Sequence, residues 1–201
     1  MRLLLSLIAS ILILVGCSSP KSIFYSLNAT PISRAAPSAK NIRIMVGPVS
    51  IPASFDRPQL VINNANNTVQ VYEYQRWANT LKGDVGDVIA SNVAQVLMIS
   101  NVWSFSQSTQ TDFDYQVFVD VQNIDAKLGD RVMVDVLWTI KPAITTKSSD
   151  KTIPSRATID TSEKFIAGRS LVNEQVTGDG INSLVAAQSR AFSKVGQEIA
   201  R

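Results

Sequence analysis

Three aspartates within a short stretch are the first side chains that could take part in chemistry. Carboxylates held close together act as acid and base in glycosidases, and clusters of them bind hard metal ions. Asp114 and Asp120 fall in a stretch of alternating apolar and polar residues over 113–122, and Asp112 directly precedes it. Such alternation places acids on the polar face of a strand. We therefore interpret these three acids as solvated surface residues and predict neither catalytic residues nor a metal site.

Other catalytic arrangements lack their key residues. The chain of 201 residues contains no histidine, so the usual general base near neutral pH and the commonest metal ligand are missing. A glycine-bearing stretch over 83–87 lacks the spacing of a phosphate-binding or dinucleotide-binding loop, and we interpret it as a helix entry. No nucleophile-elbow motif and no distinct Ser-x-x-Lys dyad occur. The sequence therefore predicts no catalytic residues and no cofactor.

Cys17, the single cysteine, stands where lipid modification would occur. Arg2 is followed by an almost unbroken apolar run over 3–15, which is too short to span a bilayer but suits a signal peptide. The run ends in Leu-Val-Gly-Cys, which resembles the bacterial lipobox, and the small Gly16 suits a cleavage site just before the cysteine. We predict a cleaved signal peptide over 1–16, lipidation at Cys17, a tether over 17–22 and a single domain over 23–201.

The predicted lipid also indicates where the mature chain resides. Two or three acyl chains anchor a protein stably, whereas one chain binds only reversibly. The residue after the cysteine is Ser18 and not aspartate, which by analogy with enteric lipoproteins favours the periplasmic face of the outer membrane. A formal charge of +3 without a cluster of basic residues gives no indication of nucleic-acid binding. With Cys17 acylated, no thiol remains for a disulfide.

Periodicity predicts the elements of the domain. The clearest alternation covers 113–122 and returns over 132–140, which predicts a long antiparallel hairpin with one buried face. Shorter strands are predicted over 23–27, 41–46, 59–62, 68–72, 102–105 and 156–167. Irregular segments are predicted over 28–40, 52–58, 63–67 and 143–154, with Gly47 and Pro48 ending or bending the second strand.

Two helices complete the prediction. Apolar residues recur at helical spacing from about residue 84, where Asp84 is the predicted cap, to residue 99, and again from Asp179 to the C-terminus. A single apolar stripe on each helix favours packing against a sheet. The predicted fold class is α+β: two layers, with a mainly antiparallel mixed sheet and both amphipathic helices on one face. The other face would remain available to partners.

A proline-rich segment over 47–61 and the Arg-Trp-Ala sequence before the first helix are the candidate partner contacts. Three prolines hold the segment extended, so it forms either a rigid crossover or a contact surface. Trp77 is either a core residue or a staple for the helix, with a partner contact as the alternative. The candidate partner-binding residues are Phe55, Asp56, Arg57, Pro58, Gln59, Arg76 and Trp77.

These motifs, in this order, resemble a known family. A lipobox, a Tyr-x-Leu strand, Gly-Pro-Val with Asp-Arg-Pro-Gln-Leu-Val, and Arg-Trp-Ala ahead of a helix are similar to the ABC-type transport auxiliary lipoproteins, the PqiC (YmbA) family. The resemblance extends from residue 24 to the C-terminal helix, and the Asp-Arg-Pro-Gln sequence at 56–59 is its most specific part. The family often continues Trp-Ala with Glu-Pro-Leu, whereas this chain has Asn-Thr-Leu at 79–81.

The resemblance implies a non-enzymatic role. It implies a periplasmic MCE-domain partner of the PqiB type in an intermembrane lipid-transport system, which this chain would dock at the membrane that carries its lipid. It also implies a homo-oligomer in the form of a ring. Two alternatives stay open. One is a structural or assembly lipoprotein of another envelope machine, and the other is a periplasmic hydrolase acting on lipid or peptidoglycan.

Overall fold

The alternating and helical patterns of the sequence form strands and helices in a computed structural model that describes residues 20–32, 41–64, 68–106, 109, 112–143 and 165–201. The elements are β1 (Ile23–Tyr25), β2 (Ile44–Ser50), β3 (Gln59–Asn63), β4 (Val69–Trp77), α1 (Leu81–Leu97), β5 (Val102–Ser104), β6 (Tyr115–Ala126), β7 (Arg131–Pro142), β8 (Ile166–Gln175) and α2 (Gly180–Ile199). The predicted α+β class is confirmed. The signal peptide, Cys17 and the segment over 144–164 lie outside the described residues.

The strands form two sheets where the sequence suggested one. The larger sheet has the order β5-β2-β6-β7-β8, and the smaller sheet has the order β1-β4-β3. β2 pairs in parallel with β5 and β6, while β6, β7 and β8 pair antiparallel. In the smaller sheet, β4 makes its ladder hydrogen bonds to β1 on one side and β3 on the other. The mixed, mainly antiparallel character agrees with the prediction, and the division into two sheets was not foreseen.

The β6–β7 hairpin supplies the centre of the core, as its alternation predicted. Val119 pairs with Trp138 and Val121 with Val136, and the valines of this face are buried. Both helices contact the larger sheet and each other, so they cover the same face. The Trp138 ring lies directly over Gly168 of β8, where an added Cβ would come within 2.2 Å of Cζ2. Its indole Nε1 donates to Ser170 Oγ at 3.2 Å.

The first helix begins three residues earlier than predicted. Thr80 is the N-cap, and its hydroxyl accepts a hydrogen bond from the Gly83 amide at 3.3 Å. The predicted cap, Asp84, is instead buried and accepts hydrogen bonds from the Leu27 amide and from Asn79 Nδ2, both at 3.0 Å. Tertiary contact with a segment distant in sequence therefore determines the role of Asp84.

Residues 26–32, here called the strap, cross the two helices after β1. The sequence indicated a loop from residue 28. Residues 28–32 are irregular as predicted, and the strap amides donate to helix side chains: Leu27 to Asp84 Oδ2 (3.0 Å), Asn28 to Ser189 Oγ (3.1 Å), Thr30 to Ser193 Oγ (2.9 Å) and Ile32 to Gln95 Oε1 (2.7 Å). Since an amide without a partner away from water is costly, these four bonds, one buried and three partly buried, fix the path of the chain after β1.

Several strand boundaries differ from the predictions, among them those of β2, β4 and β8. β2 continues through Gly47 and Pro48 to Ser50, and its register against β6 shifts between Val46 and Val49. β4 extends to Trp77, because its last residues pair with β1. β8 covers 166–175, most of which the sequence did not indicate as a strand, and it pairs with β7 over its whole length.

Glu174 fastens β8 to α2 by electrostatic contacts. Its carboxylate accepts a hydrogen bond from Arg190 Nε at 3.1 Å and contacts the Lys194 ammonium, and only 9% of its side chain is exposed. Burial opposes ionisation of this carboxyl, but the hydrogen bonds and charges of Lys194 and Arg190 outweigh it, so the pKa of Glu174 is lowered. Arg190 also donates to the Gln175 carbonyl at 2.7 Å. The edge strand β8 is thus held to the helix by charged side chains.

The contact around Glu174 is expected to weaken in acid. Its pKa is lower in the folded chain than in the unfolded chain, so the ionised form stabilises the fold above the ordinary value of 4.5. That contribution is lost as the pH falls through the lower, folded pKa. Glu174→Gln should therefore lower the unfolding free energy at neutral pH and shrink its decline below pH 4.5, measured by urea unfolding at a series of pH values. Parallel wild-type and variant curves would contradict this assignment.

Candidate partner-docking surface

The proline-rich loop over 52–58 is held by one buried side chain. Phe55 is only 6% exposed and belongs to the hydrophobic core. Its amide donates to the Pro52 carbonyl at 2.9 Å, and the Arg57 amide donates to the Phe55 carbonyl at 2.8 Å. This turn, which the buried Phe55 holds to the core, leaves Asp56, Arg57 and Pro58 exposed. The loop is therefore both an ordered crossover and an accessible surface.

The fold brings the two candidate segments of the sequence together. The Trp77 amide donates to the Pro58 carbonyl at 2.8 Å, and Gln59 pairs with Arg76 in the β3–β4 ladder. Trp77 itself is 5% exposed and lies in the core. Because Phe55 and Trp77 are buried, they support the loop from inside and present no surface to a partner in this conformation.

Charged side chains of both signs cover the exposed part of this region. Arg76 Nη2 lies 2.7 Å from Glu73 Oε1, and Gln59 Nε2 donates to Glu73 Oε2 at 3.2 Å. Hydrogen bonds from Arg76 and from Gln59 lower the pKa of Glu73. Lys82 Nζ lies 3.1 Å from Asp56 Oδ2, which attaches the loop to the first turn of α1.

We call the set Asp56, Arg57, Pro58, Gln59, Glu73, Arg76 and Lys82 the docking surface. Its ion pairs are substantially exposed, and exposed pairs contribute little to stability. Charges of this kind can exchange partners at small cost, and they steer association and give it specificity. Glu73 and Lys82 were not foreseen from the sequence, because only the tertiary structure places them beside the loop.

The aspartates considered first for catalysis serve ion pairing and hydrogen bonding. Arg43 Nη2 lies 2.8 Å from Asp114 Oδ1, and Arg43 also contacts Asp112. Hydrogen bonds from Arg43 lower the pKa of Asp114. Asp120 contacts the Ser50 hydroxyl on the neighbouring strand. Among the described residues, no group of three or more acidic or cysteine side chains is arranged to hold a metal ion.

Within the same described ranges, no helix is long and apolar enough to cross a membrane. Two mixed sheets, two helices on one face and an exposed mixed-charge surface define an α+β domain. The chain belongs to the family of ABC-type transport auxiliary lipoprotein components, whose family model matches residues 25–200. The resemblance noted in the sequence is thereby confirmed.

Solved structures support the same fold. An uncharacterised protein superposes with a TM-score of 0.67 at 14% identity, covering 90% of this chain and 98% of its own. A protein from Xanthomonas campestris gives a TM-score of 0.61 at 14% identity, with coverages of 89% and 92%. The comparison with curated proteins gives no match. At these identities the structural likeness is one of fold alone.

Proposed function

We propose that the mature chain is a non-catalytic docking subunit of an MCE-type intermembrane lipid-transport system, anchored by a lipid at Cys17 to the periplasmic face of the outer membrane. The observation that carries this proposal is the match of residues 25–200 to a family of transport auxiliary lipoproteins. The docking surface supports it, since its ion pairs are exposed and contribute little to stability, which leaves the charges available to a partner. The family resemblance implies the MCE-domain partner of the PqiB type. Ser18, directly after the predicted lipidated cysteine, favours the outer membrane by analogy with enteric lipoproteins.

The test is a pull-down from envelope membranes with the lipidated chain, followed by mass spectrometry of the captured proteins. Recovery of an MCE-domain protein would support the proposal. Recovery of an outer-membrane assembly factor or a cell-wall synthase in its place would contradict it and favour the assembly role. Separating inner from outer membranes beforehand tests the anchoring membrane independently.

Replacing Asp56 and Arg57 together with alanine is expected to reduce partner capture several-fold while the melting temperature hardly changes. The buried Phe55 still holds the loop, and the lost Asp56–Lys82 pair is exposed and contributes little to stability. Capture is measured by quantitative pull-down, and the melting temperature by circular dichroism.

A matched control removes two charges from the β6–β7 turn. Asp125 and Lys127 form a partly exposed pair at this end of the hairpin, so replacing both with alanine removes one charge of each sign, as the Asp56 and Arg57 variant does, without touching the docking surface. This control should capture the partner as well as the wild type does. Equal capture by the Asp56 and Arg57 variant, with a lowered melting temperature, would make the loop a purely structural crossover.

A further inference from the structure

Five exposed apolar side chains lie on two neighbouring strands of the smaller sheet. Phe24 is 62% exposed, Val69 56% and Ile23 50%, and Val71 and Tyr74 are also exposed. These five residues are here called the β1–β4 patch. Single exposed apolar residues are ordinary, whereas several on two hydrogen-bonded strands can supply a contact surface. Ile23 and Phe24, neighbours in the edge strand β1, point to opposite faces of the sheet, so the patch wraps around that edge.

The direction of the strands orients this patch relative to the N-terminus. β1 and β4 run parallel, with Ile23 beside Gln75 and Tyr25 beside Trp77. In a parallel pair the N-terminal ends of both strands point the same way. The chain that precedes Ile23 therefore enters from the side on which β4 begins, where Val69 and Val71 lie.

The distance from this side to the predicted anchor is short. Ile23 follows Cys17 by six residues, and a fully extended segment of that length spans at most about 21 Å. Since the lipid at Cys17 lies in the bilayer, the start of β1 must lie within about that distance of the bilayer surface. The β1–β4 patch therefore includes the point at which the domain is held close to the membrane.

β1 is also fixed to the rest of the domain, so a limit on the distance between β1 and the bilayer applies to the whole domain. The Tyr25 carbonyl accepts a hydrogen bond from the Ala78 amide at 2.7 Å, and the Tyr25 hydroxyl donates to Gln75 Oε1 at 2.6 Å. The strap that follows is bound by both helices through its amides. The tether therefore limits how far the start of β1, and the rigid domain to which it belongs, can lie from the bilayer.

We propose that the β1–β4 patch lies in the headgroup region of the bilayer that carries the Cys17 lipid. This inference rests on the lipid anchorage in the proposed function. Aromatic side chains such as Phe24 and Tyr74 favour the interface between headgroups and acyl chains, and apolar surface buried there adds to the binding supplied by acyl chains. Seating the patch would hold the domain in one orientation on the membrane.

The test introduces tryptophan into the full-length lipidated chain and measures quenching by brominated lipid. Phe24→Trp and Val69→Trp report from the patch, and Leu171→Trp, which is 65% exposed on β8 of the other sheet, is the matched control. Each protein is reconstituted into vesicles of phosphatidylethanolamine and phosphatidylglycerol, with or without bromine on the upper acyl chains. The wild type, with its three native tryptophans, gives the background.

We expect bromine to reduce the emission of the tryptophan added at either patch position roughly twofold, because interfacial side chains reach that depth. The tryptophan added at Leu171 should be little affected. Equal quenching at all three positions, or no excess over the wild type at both patch positions, would overturn the inference. Emission that depends on protein concentration and not on bromine would assign the patch to a second copy of the chain, which also overturns it.

Capture of an MCE-domain protein by the same vesicles tests the proposed function separately. Excess quenching at the patch without capture would support the position of the patch in the headgroup region and count against the docking role. Capture without quenching would support the docking role and overturn the position of the patch in the headgroup region.

Discussion

Trp77→Ala is expected to lower the free energy of unfolding by about 3–5 kcal/mol, the usual cost of truncating a buried aromatic residue. The indole is 5% exposed and lies in the core, where its removal leaves a cavity that the paired strands cannot close. Urea unfolding followed by far-ultraviolet circular dichroism measures this change without relying on the tryptophan that is lost.

Phe24→Ala is the matched control for Trp77→Ala. Phe24 lies on the adjoining strand but is 62% exposed, so its truncation should change stability by no more than about 0.5 kcal/mol. Folded Trp77→Ala should still capture the partner, since the docking surface remains. A variant of wild-type stability that fails to capture the partner would contradict the buried role and make Trp77 a contact residue.

Gly196→Ala is expected to destabilise the protein by about 1–3 kcal/mol, as overpacking usually does. Gly196 lies where α2 crosses α1, and a Cβ at this position would come within 2.9 Å of Asn92 Cβ and 3.0 Å of the Ile89 carbonyl oxygen. A backbone oxygen cannot rotate away, so the helices must move apart. Urea or thermal unfolding measures the loss.

Whether Gly196→Ala lowers or raises the free energy of unfolding distinguishes a tight helix crossing from one with room for a methyl group. In an exposed helix interior, replacing glycine with alanine stabilises by about 1 kcal/mol, because alanine has the higher helix propensity. Glu198→Ala, on an exposed position of the same turn, controls for changes in propensity and should stay within about 0.5 kcal/mol of the wild type. A stabilised Gly196→Ala variant would show that the helices have room to separate at this crossing.

Features with a strong local pattern were predictable from the sequence. The alternation over 113–122 and 132–140 became β6 and β7, because one apolar face on each strand leaves a single way to bury both. The stripe from residue 179 became α2, which begins at Gly180 as expected. The irregular path over 52–58 also followed from its prolines.

Features that depend on distant partners were missed. β8 carries glycine, arginine, serine and asparagine, and it is a strand because β7 supplies its ladder and Trp138 fills the space above Gly168. Asp84 suited a cap by its position, but the strap amide of Leu27 lies within hydrogen-bonding distance of its carboxylate. Local sequence contains no information about which distant amide will need an acceptor.

The candidate site divides in the same way. Composition and motif order determined the class of protein: a predicted lipid anchor at Cys17, no histidine-based chemistry, and the Asp-Arg-Pro-Gln segment of an auxiliary lipoprotein. Only the tertiary structure decided which side of that segment faces solvent. It buries Phe55 and Trp77 and places Glu73 and Lys82 beside the loop, because burial and charge pairing are set by contacts between segments far apart in the chain.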